Sequence, residues 1–120
     1  MRIEFVLPYP PTVNTYWRRR GSTYFVSKAG ERYRRAVALI VRQQRLKLSL
    51  SGRLVIRIIA EPPDNRRRDL DNILKAPLDA LTHAGLLMDD EQFDEINIVR
   101  GQPVSGGRLE IRITEVGVHE

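Results

Sequence analysis

Residues 53–60, Arg53-Leu54-Val55-Ile56-Arg57-Ile58-Ile59-Ala60, set the strongest limit on what this chain can fold into. Val and Ile lose side-chain freedom in a helix and pack well on a pleated surface, so a run this dense in them predicts a largely buried strand. A buried strand needs neighbours for its backbone and layers over its side chains. The flanking sequence offers both. Residues 2–7 alternate, with Ile3, Phe5 and Leu7 on one face and Arg2, Glu4 and Val6 on the other. Residues 108–114 place Leu109, Ile111 and Ile113 inward, residues 94–100 carry Ile96 and Ile98 on one face, and Gly106-Gly107 makes the turn between them.

Two segments follow the helical period instead. Tyr33, Val37, Ile40, Val41, Gln44 and Leu48 predict a helix over about 28–48, with Ser27 as N-cap and Lys28, Arg32, Arg35 and Arg42 on another face. Ile73, Leu74, Leu78, Leu81 and Leu86 predict a second over about 72–84, stopped by Gly85. Pro77 kinks that helix or delays its start, because its ring clashes with the carbonyl four residues back. Pro8, Pro10 and Pro11 force an extended loop after the first strand. Tyr16-Trp17 and Tyr24-Phe25-Val26 flank Arg18-Arg19-Arg20-Gly21-Ser22, which reads as a short hairpin or a basic loop. The order β, hairpin, α, β, α, β, β gives one α+β domain over 1–120, with a small mixed sheet and two main helices.

Charge is divided along the chain. Residues 1–60 hold 13 Lys and Arg against two acids, Glu4 and Glu31, whereas residues 61–120 hold seven against 13. Such asymmetry points to nucleic-acid contact, or more plainly to a solvated basic helix face. The acidic half needs its own explanation, since carboxylates repel phosphates unless a cation lies between them. With no cysteine, disulfides and thiolate metal sites are excluded. His83 and His119 are too few and too far apart for a histidine zinc site. No apolar run approaches a membrane span of ~18 residues, and Met1-Arg2-Ile3-Glu4 lacks a signal-peptide pattern. The expectation is a cytoplasmic protein with no membrane contact.

Two acidic clusters remain, Asp69-x-Asp71 and Asp89-Asp90-Glu91 with Asp94 and Glu95 behind it. Mg²⁺ and Mn²⁺ prefer oxygen ligands, so together these favour a metal–phosphate site. Each has a plainer reading: Asp71 as a helix cap, Asp89-Asp90 as loop solvation. Arg66, Arg67 and Arg68 precede the Asp pair, and guanidinium forks engage phosphate oxygens bidentately. Lys75 can face the same site and offset charge on a phosphate, or pair with Asp71 or Asp79. Tyr16, Trp17, Tyr24 and Phe25, interleaved with Arg18, Arg19 and Arg20, are either core aromatics or platforms for unpaired bases.

Arg66-Arg67-Arg68-Asp69-Leu70-Asp71-Asn72, with Lys75 and a later Asp89-Asp90, resembles the RusA family of Holliday junction resolvases. Leu7-Pro8-Tyr9-Pro10-Pro11 with Asn14, Asp79-Ala80-Leu81 and Gly106-Gly107-Arg108-Leu109-Glu110 are similar to that family as well. The resemblance implies a homodimer that binds four-way DNA junctions in recombination and repair and makes paired, Mg²⁺-dependent incisions. It implies metal-binding aspartates at Asp69, Asp71 and Asp90 and an essential lysine at Lys75. Pro77, just past that lysine, departs from the family pattern. Two other functions stay open: a non-catalytic basic DNA-binding protein, and a metal-dependent nuclease acting on flaps or RNA. Geometry adds a condition. A helix over 72–84 is roughly 20 Å long, so Asp90 must fold back that far to join Asp69 and Asp71, or reach them across a dimer.

Overall fold

The computed structural model describes residues 1–116. Its elements follow the predicted order. β1 (Arg2–Pro8) leads through a one-turn helix α1 (Val13–Tyr16) into the hairpin β2 (Trp17–Arg20) and β3 (Thr23–Val26). Then come α2 (Lys28–Gln43), β4 (Leu54–Glu61), a 3-10 turn at Leu70–Ile73 and α3 (Lys75–Ala84). A second 3-10 turn at Asp90–Gln92 precedes β5 (Phe93–Arg100) and β6 (Arg108–Glu115). The main sheet has the order β1-β6-β4-β5, and the hairpin forms a separate two-stranded sheet. β6 runs antiparallel to both neighbours, and β4 runs parallel to β5. A parallel pair needs a long crossover. Here residues 62–92, α3 included, supply it.

Both long helices pack on the same face of the sheet. The core lies between, with Phe5, Leu7, Leu54, Ile56, Ile58, Leu109, Ile111 and Ile113 from the strands meeting Tyr33, Val37, Val41, Leu78 and Leu81 from the helices. β4 is therefore buried on one side only: Arg57 is exposed, and Val55 and Ile59 are half-buried. This corrects the reading of a largely buried strand. Its β-branched density reported strand propensity, and among the described residues no helix or strand covers the second face. β5 is an edge strand, so Ile96 is 42% exposed although it points to the helix side.

The first helix ends earlier than about 48. Arg45 takes a left-handed φ of 57°, while Leu46 N–H donates to Val41 O and Arg45 N–H to Arg42 O. That is the Schellman stop, made without its usual glycine. Leu48 consequently lies off the helix and is exposed. The second helix starts late, as Pro77 requires. Pro77 occupies the third residue of α3, inside the first turn, where a missing N–H costs no helical bond. Gly85, at φ 90°, closes that helix with the same two-bond stop. Among the described residues, no helix is long and apolar enough to cross a membrane.

Candidate active site

Asp69 and Asp71 are delivered by the segment leaving β4. The Asp64 carboxylate accepts from Arg66 N–H at 2.9 Å and from the Arg68 guanidinium at 2.7 Å. Those two donors, Arg68 first, hold the Asp64 carboxyl down at about 2. Arg68 also lies over the Tyr9 ring, 5.8 Å from its centroid, and Arg100 of β5 donates to Arg68 O at 2.8 Å. The arginine run is thereby tied to β5. Past Arg68 the backbone is extended at Asp69 and tightens into the 3-10 turn, which rests beside β5 and buries Ile73. Asp69 and Asp71 are left exposed, without a hydrogen bond or ion pair from either side chain to a described residue. The helix-cap reading of Asp71 therefore has no hydrogen bond behind it. Arg66 and Arg67 are exposed as well, whereas Arg68 is committed to Asp64 and Tyr9.

Asp90 comes from the other acidic cluster, and the neighbours of that cluster explain why it is the one presented. Asp89 caps the second 3-10 turn by accepting from Glu91 N–H at 3.0 Å. Glu91 is drawn outward to Arg53, which also binds Asp94. Gln92 is buried, and its amide is fully used. Its oxygen accepts from Met88 N–H and Asp89 N–H, both at 2.9 Å, and its nitrogen donates to Leu50 O at 2.7 Å and Gly52 O at 2.9 Å. Asp90, between these tethers, faces α3. Partial burial raises its carboxyl above the ordinary range, the adjoining Asp89 adds to the rise, and Lys75 opposes it. The turn that carries Asp90 packs against α3 within one chain, but among the described residues Asp90 does not gather with Asp69 and Asp71 into a cluster of three.

Asp79 lies one turn after Lys75 but does not pair with it. It accepts from the Tyr16 hydroxyl and from Arg34, at 2.9 Å from Nε and 2.8 Å from the terminal nitrogen. Arg34 Nε also reaches the Tyr16 oxygen at 3.0 Å. Burial, reinforced by Asp79, holds the Tyr16 hydroxyl well above its ordinary value, so it remains the donor. With Asp79 taken, Lys75 makes no ion pair with a described residue. Gln92, Arg53, Tyr16, Arg34 and Asp79 escaped sequence reasoning as supports of this site. Asp89-x-x-Gln92 carried a readable capping-box signal; the others are joined only by the fold.

Among the described residues, no three Asp, Glu, His or Cys side chains gather closely enough to hold a metal by themselves. The donors still suit a hard divalent cation. They offer oxygen alone, two of them are free of cationic partners, and Mg²⁺ ordinarily completes a site of one or two carboxylates with water and substrate phosphate. His83 is exposed on α3, and His119 lies outside the described residues. A hollow of about 410 Å³ lies on the uncovered sheet face among Glu4, Arg57, Ile59 and Arg112 and contains none of these groups.

The hairpin springs from α1, which packs against α3 and the Leu70–Ile73 turn. Arg18, Arg19 and Arg20 are exposed. Its aromatics divide: Tyr16 is core and Trp17 half-buried, but Tyr24 is 65% and Phe25 41% exposed.

The family model of the endodeoxyribonuclease RusA matches residues 8–114. The crossover junction endodeoxyribonuclease of Enterobacteria phage HK97 is 59% identical over 113 residues, covering 94% of each chain. The proteins of the same name from Escherichia coli and Enterobacteria phage 82 are 45% and 44% identical over 114 residues, covering 95% of each chain. Matched along nearly its whole length by that family model and by these relatives, the chain belongs to the RusA endodeoxyribonuclease family.

Proposed function

We propose that the protein resolves four-way DNA junctions in recombination and repair, as a homodimeric, Mg²⁺-dependent endodeoxyribonuclease of the cytoplasm. One observation carries the proposal. Asp69 and Asp71 directly follow three arginines and pair with none of them, while Asp64 takes Arg68. Free carboxylates beside exposed guanidinium groups, Arg67 unpaired among the described residues and Arg66 held only at 3.8 Å from Asp64, suit a substrate of phosphates bridged by a cation. Asp69, Asp71 and Asp90 would hold Mg²⁺, with Mn²⁺ as a substitute. Such an ion supplies an activated water and offsets charge on the phosphate and the leaving oxygen. Lys75, unpaired because Asp79 is engaged elsewhere, lends positive charge to the same phosphate. Arg66, Arg67 and the hairpin arginines Arg18, Arg19 and Arg20 hold neighbouring phosphates. A junction is approximately two-fold symmetric, so an isologous dimer presents one site to each of two symmetric strands.

The test compares cleavage of a synthetic four-way junction, a matched duplex and a flap, with and without Mg²⁺. Cleavage of the junction alone, and only with metal, is expected. Asp69→Asn, Asp71→Asn and Asp90→Asn should each abolish cleavage and spare junction binding. Near-normal cleavage by all three variants in Mg²⁺ overturns the metal site. Preferred cutting of the flap overturns the junction assignment.

A further inference from the structure

The β2–β3 hairpin has a construction that phosphate binding alone does not require. Opposed residues of an antiparallel ribbon share a face, and its register pairs Arg18 with Phe25 and Arg19 with Tyr24. Tyr24 therefore lies with Arg19 on one face, while Phe25 lies with Arg18 and Arg20 on the other. On each face a guanidinium covers a ring, at 5.7 Å for Arg19 over Tyr24 and 5.8 Å for Arg20 over Phe25. Neither ring belongs to the core. The tip turns through Gly21, at φ 62°, and an added Cβ there would meet nothing within 4 Å. The root, in contrast, is fixed: Ser27 N–H donates to Tyr16 O at 2.9 Å, and Tyr16 is held by Asp79, one helical turn from Lys75. The ribbon thus springs from a root that packs against α3 and the Leu70–Ile73 turn, with an exposed ring on each face.

We infer that this hairpin binds unstacked DNA bases, with Tyr24 and Phe25 as the stacking surfaces and Arg18, Arg19 and Arg20 holding the adjoining phosphates. The inference rests on the junction reading for its location, the branch point, where base stacking is interrupted. Each ring offers a flat face to a base whatever its identity. The guanidinium on its far side orients the ring in advance, which lowers the ordering cost of binding. Only unstacked bases expose the faces that such a ribbon can use. A continuous duplex offers phosphates but no gap.

The test uses the full chain in two arms, a single-stranded oligonucleotide and a four-way junction carrying 2-aminopurine at the branch point, with a matched duplex as reference. Tyr24→Ala with Phe25→Ala should weaken single-strand and junction binding by about tenfold per ring. It should also remove most of the change in 2-aminopurine fluorescence that binding causes, and leave duplex binding unchanged. Tyr24→Phe, which keeps the ring, should retain binding. Arg19→Ala with Arg20→Ala should weaken duplex and junction together. Circular dichroism of the double alanine variant checks that the fold persists, as expected for side chains at an exposed tip. Unchanged single-strand binding by the double variant overturns the inference, as does an equal loss on duplex and junction. Should the unaltered protein bind the junction no better than the duplex, the junction reading fails instead, and the single-strand arm still decides the role of the rings.

Discussion

Replacing Gln92 with Ala removes four hydrogen bonds at once, and the structure sets the size of the loss. The amide joins the Asp90 turn to the strand-entry loop at Leu50 and Gly52, and closes the capping box at Met88 and Asp89. A typical hydrogen bond contributes a net ~1 kcal/mol, and four would give ~4 kcal/mol. Met88, Asp89 and Gly52 are exposed, so water recovers part of this, and about 3 kcal/mol remains. Spread over 120 residues at ~2.1 cal/mol/K each, the melting entropy is roughly 0.25 kcal/mol/K, so the Tm should fall by about 12 °C. Calorimetry and urea titration measure it. Gln92→Glu supplies a control with a pH signature. Its carboxylate would face two carbonyl oxygens, which raises its folded pKa above the unfolded value. The stability it retains is then greatest below the unfolded pKa of ~4.3 and is lost as pH rises through the folded one. Because Gln92 holds the turn that carries Asp90, junction cleavage should fall further than junction binding. A Tm change under ~2 °C for Gln92→Ala would refute the reasoning, since four made bonds would then be worth less than one.

Three further outcomes follow from local geometry. Gly30→Ala should destabilise by about 1–3 kcal/mol in urea titration, despite the better helix propensity of Ala. Its Cβ would lie 2.7 Å from Tyr16 O and 2.5 Å from a Val26 methyl, so the hairpin root or the start of α2 must move. The Asp64 carboxyl, followed by NMR, should titrate near 2 and move towards 3.8 in Arg68→Gln. Because the folded pKa is depressed, the contribution of this pair is fully present above the unfolded value and fades as pH falls through about 2. Replacing Arg66 and Arg67 together with Gln should reduce the slope of log affinity against log salt by about two on duplex and junction alike. An unchanged slope would remove both from the phosphate contacts.

Where a property of the chain is local, its sequence displays it. The alternation in residues 2–7 and 108–114 sufficed for β1 and β6, and Gly85 and Pro77 marked the bounds of α3. The stop of α2 was hidden because Arg45 takes the left-handed position that glycine usually signals. β4 misled for a different reason: residue types describe the strand, but whether a second layer covers it depends on where both helices pack. The site divides the same way. Asp69-x-Asp71 with its arginines is a contiguous pattern, readable at once. That Asp90, not Asp89 or Glu91, faces α3 follows from Arg53, a residue 38 positions away, and from the Gln92 amide. No spacing rule contains such a pairing.

The division of charge along the chain acquires a structural meaning at Asp79. The basic half contributes Tyr16 and Arg34, the acidic half Asp79, and their shared contact ties the root of the arginine hairpin to α3. Asp79 and Lys75 are four residues apart, a spacing at which a helix would ordinarily let them pair. Arg34 opposes this by binding Asp79 Oδ2 through both Nε and a terminal nitrogen, with about a quarter of each side chain exposed. A partly shielded pair of this kind is harder to screen than a surface one. The consequence reaches the site: an arginine from the basic half engages an acid that could have claimed Lys75, and so leaves more of the lysine's charge for a phosphate. Arg34→Leu should therefore act at a distance. It would release Asp79 towards Lys75 and slow cleavage, and Asp79→Asn added to it should restore much of the rate by freeing the lysine again. A purely structural role for Arg34 predicts no such rescue.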